Sequence, residues 1–275
     1  MSVQGAGSGR SVTTTTLREM KRRGEKIAAL TAYDYLFARL VDEAGTDVVL
    51  VGDSLAQVVL GYDSTVPVTL DEMIHHPRAV RRGIRRALLV VDLPFLTYQV
   101  SREEAIRNAG RVLKETGAAA VKLEGGSPEI ADTIRALVQV GIPVMAHLGF
   151  TPQSVNTLGG TRVQGREEGG PERVLAEGRA VEAAGAFSVV LELVPGPVAT
   201  AVTDSLSIPT IGIGAGAGCD GQILVLHDML GLYEDFKPRF LRRFAELAGA
   251  TRSAVGDYVG AVRAGEYPAA EHTFE

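Results

Sequence analysis

A (β/α)8 barrel of the α/β class is the fold predicted for this chain of 275 residues, and three observations carry the prediction. Strand-like apolar runs recur eight times along the sequence. They are apolar almost throughout instead of alternating, as parallel strands covered on both faces are. Most of them are separated by segments with apolar positions at helical spacing, and that alternation over this length closes into one barrel. An open doubly wound sheet is the alternative topology.

In order, the runs are 26–33, 47–54, 88–95, 119–125, 143–150, 188–195, 209–216 and, more weakly, 222–227. Residues 101–116 typify the helices between them, with Gly117 as the stop. Between the seventh and eighth runs there is no room for an ordinary helix, so one outer position is missing or filled by another segment. Residues 16–23 suit a short helix before Gly24. Residues 1–15, rich in Gly, Ser and Thr, read as a disordered leader, leaving 16–275 as a single barrel domain with C-terminal helices. Two connectors are long, 61–73 and 151–171, and the second is the candidate lid.

Composition narrows the function. Glycine is abundant at 32 residues and aromatics make up only 5% with no Trp, which suits tight strand-to-helix turns better than a platform for stacked bases. The formal charge of -5 points the same way, because a phosphate-backbone binder carries a basic excess. Nucleic acid is therefore not an expected partner. The single cysteine, Cys219, rules out an internal disulfide and suits a reducing compartment. No apolar run approaches the roughly 20 residues that cross a bilayer, and the first residues lack the apolar centre of a secretion signal. The expected location is cytoplasmic, with no membrane partner.

Candidate chemistry lies in the last polar residues of the runs. Asp53 and Ser54 follow Val-Leu-Val-Gly, Asp92 follows Leu-Leu-Val-Val, and Lys122 and Glu124 stand in Ala-Val-Lys-Leu-Glu; His147 follows Val-Met-Ala, and Glu192 ends Val-Val-Leu-Glu. The C-terminal strand ends of a parallel barrel converge on one mouth, where the active sites of such enzymes lie. Carboxylates crowded there lose hydration and repel one another, a conflict that a hard divalent cation removes. Oxygen ligands without cysteine favour Mg2+, held by one or two protein carboxylates with water and substrate completing its shell. Asp53 and Asp92 are the expected direct ligands, with Glu124 acting through water.

Lys122 supplies further positive charge for a small anion. An α-keto acid chelating the ion fits, because the ion takes up the charge that develops as an enolate forms. Glu192, on another strand, is the expected general base on the carbon beside the carbonyl; its alternative is a buried acid paired with an arginine. His147 reads either as a hydrogen-bond donor to the substrate oxygens or as a core histidine. The glycine-rich run 212–218 lacks the lysine and hydroxyl residue of a phosphate-binding loop and reads as a strand end brought close to the pocket. His75 and His76 read as non-catalytic.

With these residues placed, the sequence resembles the ketopantoate hydroxymethyltransferases. The match rests on Thr31-Ala-Tyr-Asp34, Val51-Gly-Asp-Ser-Leu55, Gly61-Tyr-Asp-Ser-Thr65 with Pro67-Val-Thr69, Asp92-Leu-Pro-Phe95, Val121-Lys-Leu-Glu-Gly125, His147-Leu-Gly149 with Thr151-Pro-Gln-Ser154, and Gly212-Ile-Gly-Ala-Gly216 with Cys219-Asp-Gly-Gln222. The resemblance implies a TIM barrel of the phosphoenolpyruvate/pyruvate type that assembles as a homodecamer and binds Mg2+ through Asp53, Asp92 and Glu124. It further implies that Ser54 and Lys122, with Asp53 and Asp92, contact the keto acid, that His147 lies beside it, and that Glu192 is the proton acceptor. The implied substrate is 3-methyl-2-oxobutanoate, with 5,10-methylenetetrahydrofolate as one-carbon donor. Ala146 and Leu193 depart from residues common in the family, Gly and Cys, without replacing a functional group. A carbon–carbon lyase with the same enolate chemistry and a non-catalytic keto-acid binder are the rival readings.

Overall fold

The computed structural model describes residues 11–235 and 237–274, and the chain divides into two compact units, one ending at Val225 and the other beginning at Leu226. In the first unit a closed barrel forms from β1 (Ile27–Thr31), β2 (Val48–Val51), β3 (Leu88–Asp92), β4 (Ala120–Glu124), β5 (Val144–Gly149), β6 (Ser188–Glu192), β7 (Thr210–Ile213) and β8 (Gly221–Leu224). Every neighbouring pair is parallel, and β8 closes onto β1. Each apolar run supplies one strand. β8 opens at Gly221, just before its run, because a Cβ there would stand 2.5 Å from Ile27 O; only glycine lets the closing strand approach so near.

The pleat puts Leu88, Val90 and Asp92 on one face of β3, and Ala120, Lys122 and Glu124 on one face of β4. Met145 and His147 share a face of β5, as Val190 and Glu192 do on β6. Leu88, Val90, Ala120, Met145 and Val190 belong to a single buried cluster with residues such as Ile27, Leu50 and Ile211, the packed interior of the barrel. The inward face of these strands thus changes from apolar to charged in its last residues. Charge is delivered to the C-terminal mouth by the same alternation that fills the core.

At the other end, the helix Thr14–Arg23 closes the barrel floor. Val12 and Leu17 join the interior cluster and Met20 packs against it, and burying one such side chain contributes roughly 1.5–3 kcal/mol. Thr13 and Thr16 form a capping box at its start, and Gly24 at φ 69° ends it. Of the expected leader, residues 1–10 lie outside the described residues. Its last part enters this floor, with Val12 N donating to Arg86 O at 2.8 Å.

Helices on the outside cover the strands. Arg102–Thr116 starts at the Ser101 cap and stops at Gly117, φ 72°, as its sequence indicates. Thr69 and Glu72 make a capping box that begins the helix Leu70–Gly83 inside the supposed connector 61–73, so that connector is shorter than expected. The connector 151–171 carries a 3-10 turn, Pro152–Ser154, and a short helix, Val155–Leu158. From β7 the chain reaches β8 with no helix between them. The second unit contains the helices Leu226–Met229 and Leu247–Ala264 and the 3-10 turn Ala270–His272. Among the described residues no helix is long and apolar enough to cross a membrane.

Candidate active site

Beyond Val51, where β2 ends, Gly52 lets the chain turn against its neighbour. A Cβ at Gly52 would stand 2.9 Å from Ser54 Oγ and 3.4 Å from Asp92 Oδ2. Asp92, the last residue of β3, uses that opening to accept a hydrogen bond from Asp53 N at 3.0 Å. Asp92 and Lys122 are register partners, and Lys122 Nζ lies 2.9 Å from Asp92 Oδ1. Glu124 and His147 are partners on the next ladder, and His147 Nε2 comes within 3.3 Å of Glu192 Oε2. The predicted site residues therefore meet at one mouth, with Ser54 fixed at its edge by a 2.7 Å hydrogen bond between its Oγ and the Tyr33 hydroxyl.

Glu192 owes its place to a glycine. Gly149 is its register partner on β5 and has φ 90°; a Cβ there would lie 2.2 Å from Glu192 O and 2.6 Å from Val194 Cγ2. The backbone conformation alone costs a non-glycine residue about 1–3 kcal/mol. Gly149→Ala is therefore expected to lower unfolding stability by at least that amount in urea denaturation. Unchanged stability would mean that the two strand ends can slide apart.

Asp53, Asp92, Lys122, Glu124 and His147 are each at most 5% exposed, so none keeps a full hydration shell. Burial pushes Asp92 up to about 7, with Lys122 opposing and the Asp53 charge adding to the rise. Burial, then the Asp53 charge, holds Glu124 well above the ordinary carboxylate range. For Lys122 burial pulls downward, but Asp92, Glu124 and Asp53 together outweigh it and the net shift is upward. Burial and Lys122 lower His147 well below 6.5. The imidazole is thus neutral at pH 7.

That neutrality identifies its tautomer. His147 Nδ1 is 3.2 Å from Lys122 Nζ, and an ammonium only donates, so Nδ1 accepts and Nε2 carries the proton. Nε2 has no aligned acceptor although Glu192 Oε2 is near. Glu192 stands at the rim, its side chain 18% exposed. Burial raises its carboxyl to about 7 against the pull of Lys122.

Four carboxylates, Asp53, Asp92, Glu124 and Glu192, thus face one ammonium. Glu124 Oε1 is buried without a hydrogen-bond donor and Asp92 Oδ1 meets the Lys122 ammonium, which leaves the group net negative, a setting that suits a hard divalent cation. Among the described residues no group of three or more His, Cys, Asp or Glu gathers tightly enough to enclose an ion. Mg2+ asks for less, since one or two protein carboxylates suffice when water and substrate supply the rest. The donor set fits that arrangement.

Three residues without a role in the sequence reading belong to this mouth: Tyr33, Tyr98 and Gln153. Gln153 Nε2 donates to Asp53 Oδ2 at 2.9 Å, its backbone N donates to Glu124 Oε2 at 3.0 Å, and the Tyr98 hydroxyl donates to its Oε1 at 2.9 Å. The available signal was Thr151-Pro-Gln-Ser154, a polar stretch behind a proline directly after a strand. His76, by contrast, only backs the site, with its Nδ1 2.8 Å from Tyr33 O.

A sequence profile of the family described as ketopantoate hydroxymethyltransferase matches residues 11–270. The 3-methyl-2-oxobutanoate hydroxymethyltransferase of Syntrophus aciditrophicus is 56% identical over 266 residues, covering 97% of this chain and 97% of its own. The protein of the same name from Chloroflexus aurantiacus is 58% identical over 262 residues, covering 95% and 92%. Among solved structures, phosphonopyruvate hydrolase superposes with a TM-score of 0.63 at 14% identity, covering 96% of this chain and 92% of that one. For 2,3-dimethylmalate lyase, described as a PEP mutase/isocitrate lyase superfamily member, the TM-score is 0.57 at 19% identity, covering 95% and 91%. At such identities these two bear on the fold alone, and they agree with the closed (β/α)8 barrel seen here. With the profile spanning nearly the whole barrel and relatives identical at more than half of the aligned positions, the chain belongs to the ketopantoate hydroxymethyltransferase family.

Proposed function

We propose that this chain transfers a hydroxymethyl group from 5,10-methylenetetrahydrofolate to 3-methyl-2-oxobutanoate, giving 2-dehydropantoate (ketopantoate) for pantothenate synthesis, with Mg2+ as its metal. The name its relatives share, 3-methyl-2-oxobutanoate hydroxymethyltransferase, supplies the keto acid and the group transferred. The observation that supports the metal is the buried excess of carboxylates over cations at the mouth; the folate donor is what the family resemblance implies. Asp53 and Asp92 would hold the ion with Glu124 behind them. A bound ion would take up the negative charge that develops on the keto oxygen.

The protein's own groups divide the remaining work. Lys122, held charged by its acidic neighbours, offsets the substrate carboxylate. Ser54, fixed by Tyr33, lines the keto-acid site, and His147 offers its Nε2–H to a substrate oxygen. Glu192 removes the proton from C3, and a base near pKa 7 is matched to neutral pH. The deprotonated carbon then bonds to the methylene carbon of the folate; water supplies the hydroxyl oxygen and tetrahydrofolate leaves. The homodecamer implied by the resemblance and the cytoplasmic location expected from the sequence belong to the same reading, and light scattering on the purified chain reads the assembly.

NMR of the chain with Mg2+, the keto acid and the folate is expected to show ketopantoate and tetrahydrofolate in equal amounts. Product formed after removal of divalent ions, or without folate, would overturn the metal or the donor.

A further inference from the structure

Gln153 carries no charge, yet all the hydrogen-bonding positions of its amide are in use. Nε2 donates to Asp53 Oδ2 at 2.9 Å and to Leu93 O at 3.0 Å. Oε1 accepts from the Tyr98 hydroxyl at 2.9 Å and from Gln99 Nε2 at 3.3 Å. The amide has one workable orientation, because turned over its oxygen would face a carboxylate and a carbonyl. The Tyr98 oxygen in turn accepts from Glu124 N at 3.1 Å. The backbone N–H of Gln153 adds its own bond to Glu124 Oε2 at 3.0 Å.

One buried residue therefore holds an oxygen of Asp53 and an oxygen of Glu124, two acids from different strand ends, while Glu124 Oε1 is left without a donor. It does so from the 3-10 turn that opens the loop after β5. We infer that Gln153 is a positioning residue for the ion: its amide and backbone N–H turn Asp53 and Glu124 so that their remaining oxygens face the cation, and the docking of residues 152–158 is coupled to ion binding. This rests on the proposed reading of those carboxylates as ion-binding groups. Linkage makes the coupling reciprocal, so that whatever the docked turn adds to ion affinity the ion returns to the turn.

Two variants separate positioning from bulk structure. Gln153→Met keeps length and apolar volume, removes the amide and leaves the backbone N–H. Tyr98→Phe leaves Gln153 intact and removes the hydroxyl that orients it. Partners that orient metal ligands typically change affinity by about 10- to 100-fold. Titration of the intact chain with Mn2+, followed by electron paramagnetic resonance, is expected to show a Kd weakened by about that factor in Gln153→Met and by about fivefold, the worth of one neutral hydrogen bond, in Tyr98→Phe. Hydrogen exchange supplies the readout that a merely structural role would not move. Mg2+ is expected to slow exchange of the amides of 153–158 in the unaltered chain and to lose that effect in Gln153→Met.

A Kd within twofold of the unaltered chain in both variants, or Mg2+ protection equal in all three proteins, overturns the inference and leaves the proposed function standing. Absence of any divalent-ion binding by the unaltered chain overturns both. Should Gln153→Met fail to fold, Tyr98→Phe decides the matter alone.

Discussion

Replacing Glu192 with Gln is expected to slow deuterium incorporation at C3 of 3-methyl-2-oxobutanoate about 10²- to 10⁴-fold, the usual worth of a positioned base, with Mg2+ affinity unchanged. The substitution preserves shape and removes only the ability to accept a proton. It leaves the ion site alone, because the Glu192 carboxylate lies against His147 and not against Asp53, Asp92 or Glu124. The rate in the unaltered chain should rise as pH passes through about 7, the value to which burial raises this carboxyl. The charged and titratable groups facing it, Lys122 and His147, do not compete in that window. Lys122 is shifted upward and His147 is already neutral. Asp92 also stands near 7 without an ion, so the profile is taken at saturating Mg2+, which holds Asp92 ionised. Full exchange by Glu192→Gln in D₂O, seen by proton NMR, would remove the assignment.

Lys122→Met should have the largest effect on stability. It leaves Asp92, Glu124 and Asp53 buried with no cation among them, and breaking a buried pair by removing one partner costs about 3–5 kcal/mol. The loss carries a pH signature. Asp92 and Glu124 are raised above their unfolded values even with Lys122 present, and its removal raises them further. The folded variant therefore binds more protons than the unfolded chain from about pH 4 upward, so its stability falls as pH rises through 7 and recovers toward pH 5. Urea denaturation in EDTA at pH 5, 7 and 8 reads the slope, and added Mg2+ should restore part of the loss at pH 8. Equal stability of both proteins at pH 8 would show that the carboxylates do not depend on this ammonium.

The barrel was legible because its strands announce themselves. Runs such as 88–95 and 119–125 begin apolar on both faces, and in the strands they supply, β3 and β4, the polar residues are the last inward ones. That rule also gathered Asp92, Lys122, Glu124, His147 and Glu192 at one end before any contact was visible. The missing helix between β7 and β8 was legible from chain length alone. Gln153 and Tyr98 were not, because they stand in connectors whose backbone follows no period and whose partners lie 55 and 100 positions apart in sequence. The floor escaped for a related reason. A Gly/Ser/Thr-rich start gives no hint that Val12 and Leu17 will find an apolar cluster to enter.

That stopper ties the start of the chain to the barrel's interior. Val12 and Leu17 are part of the same buried cluster as the strands, so cutting the chain before Gly24 would wet apolar surface at the end opposite the reaction, and the damage would be felt as lost stability and not as a missing catalytic group.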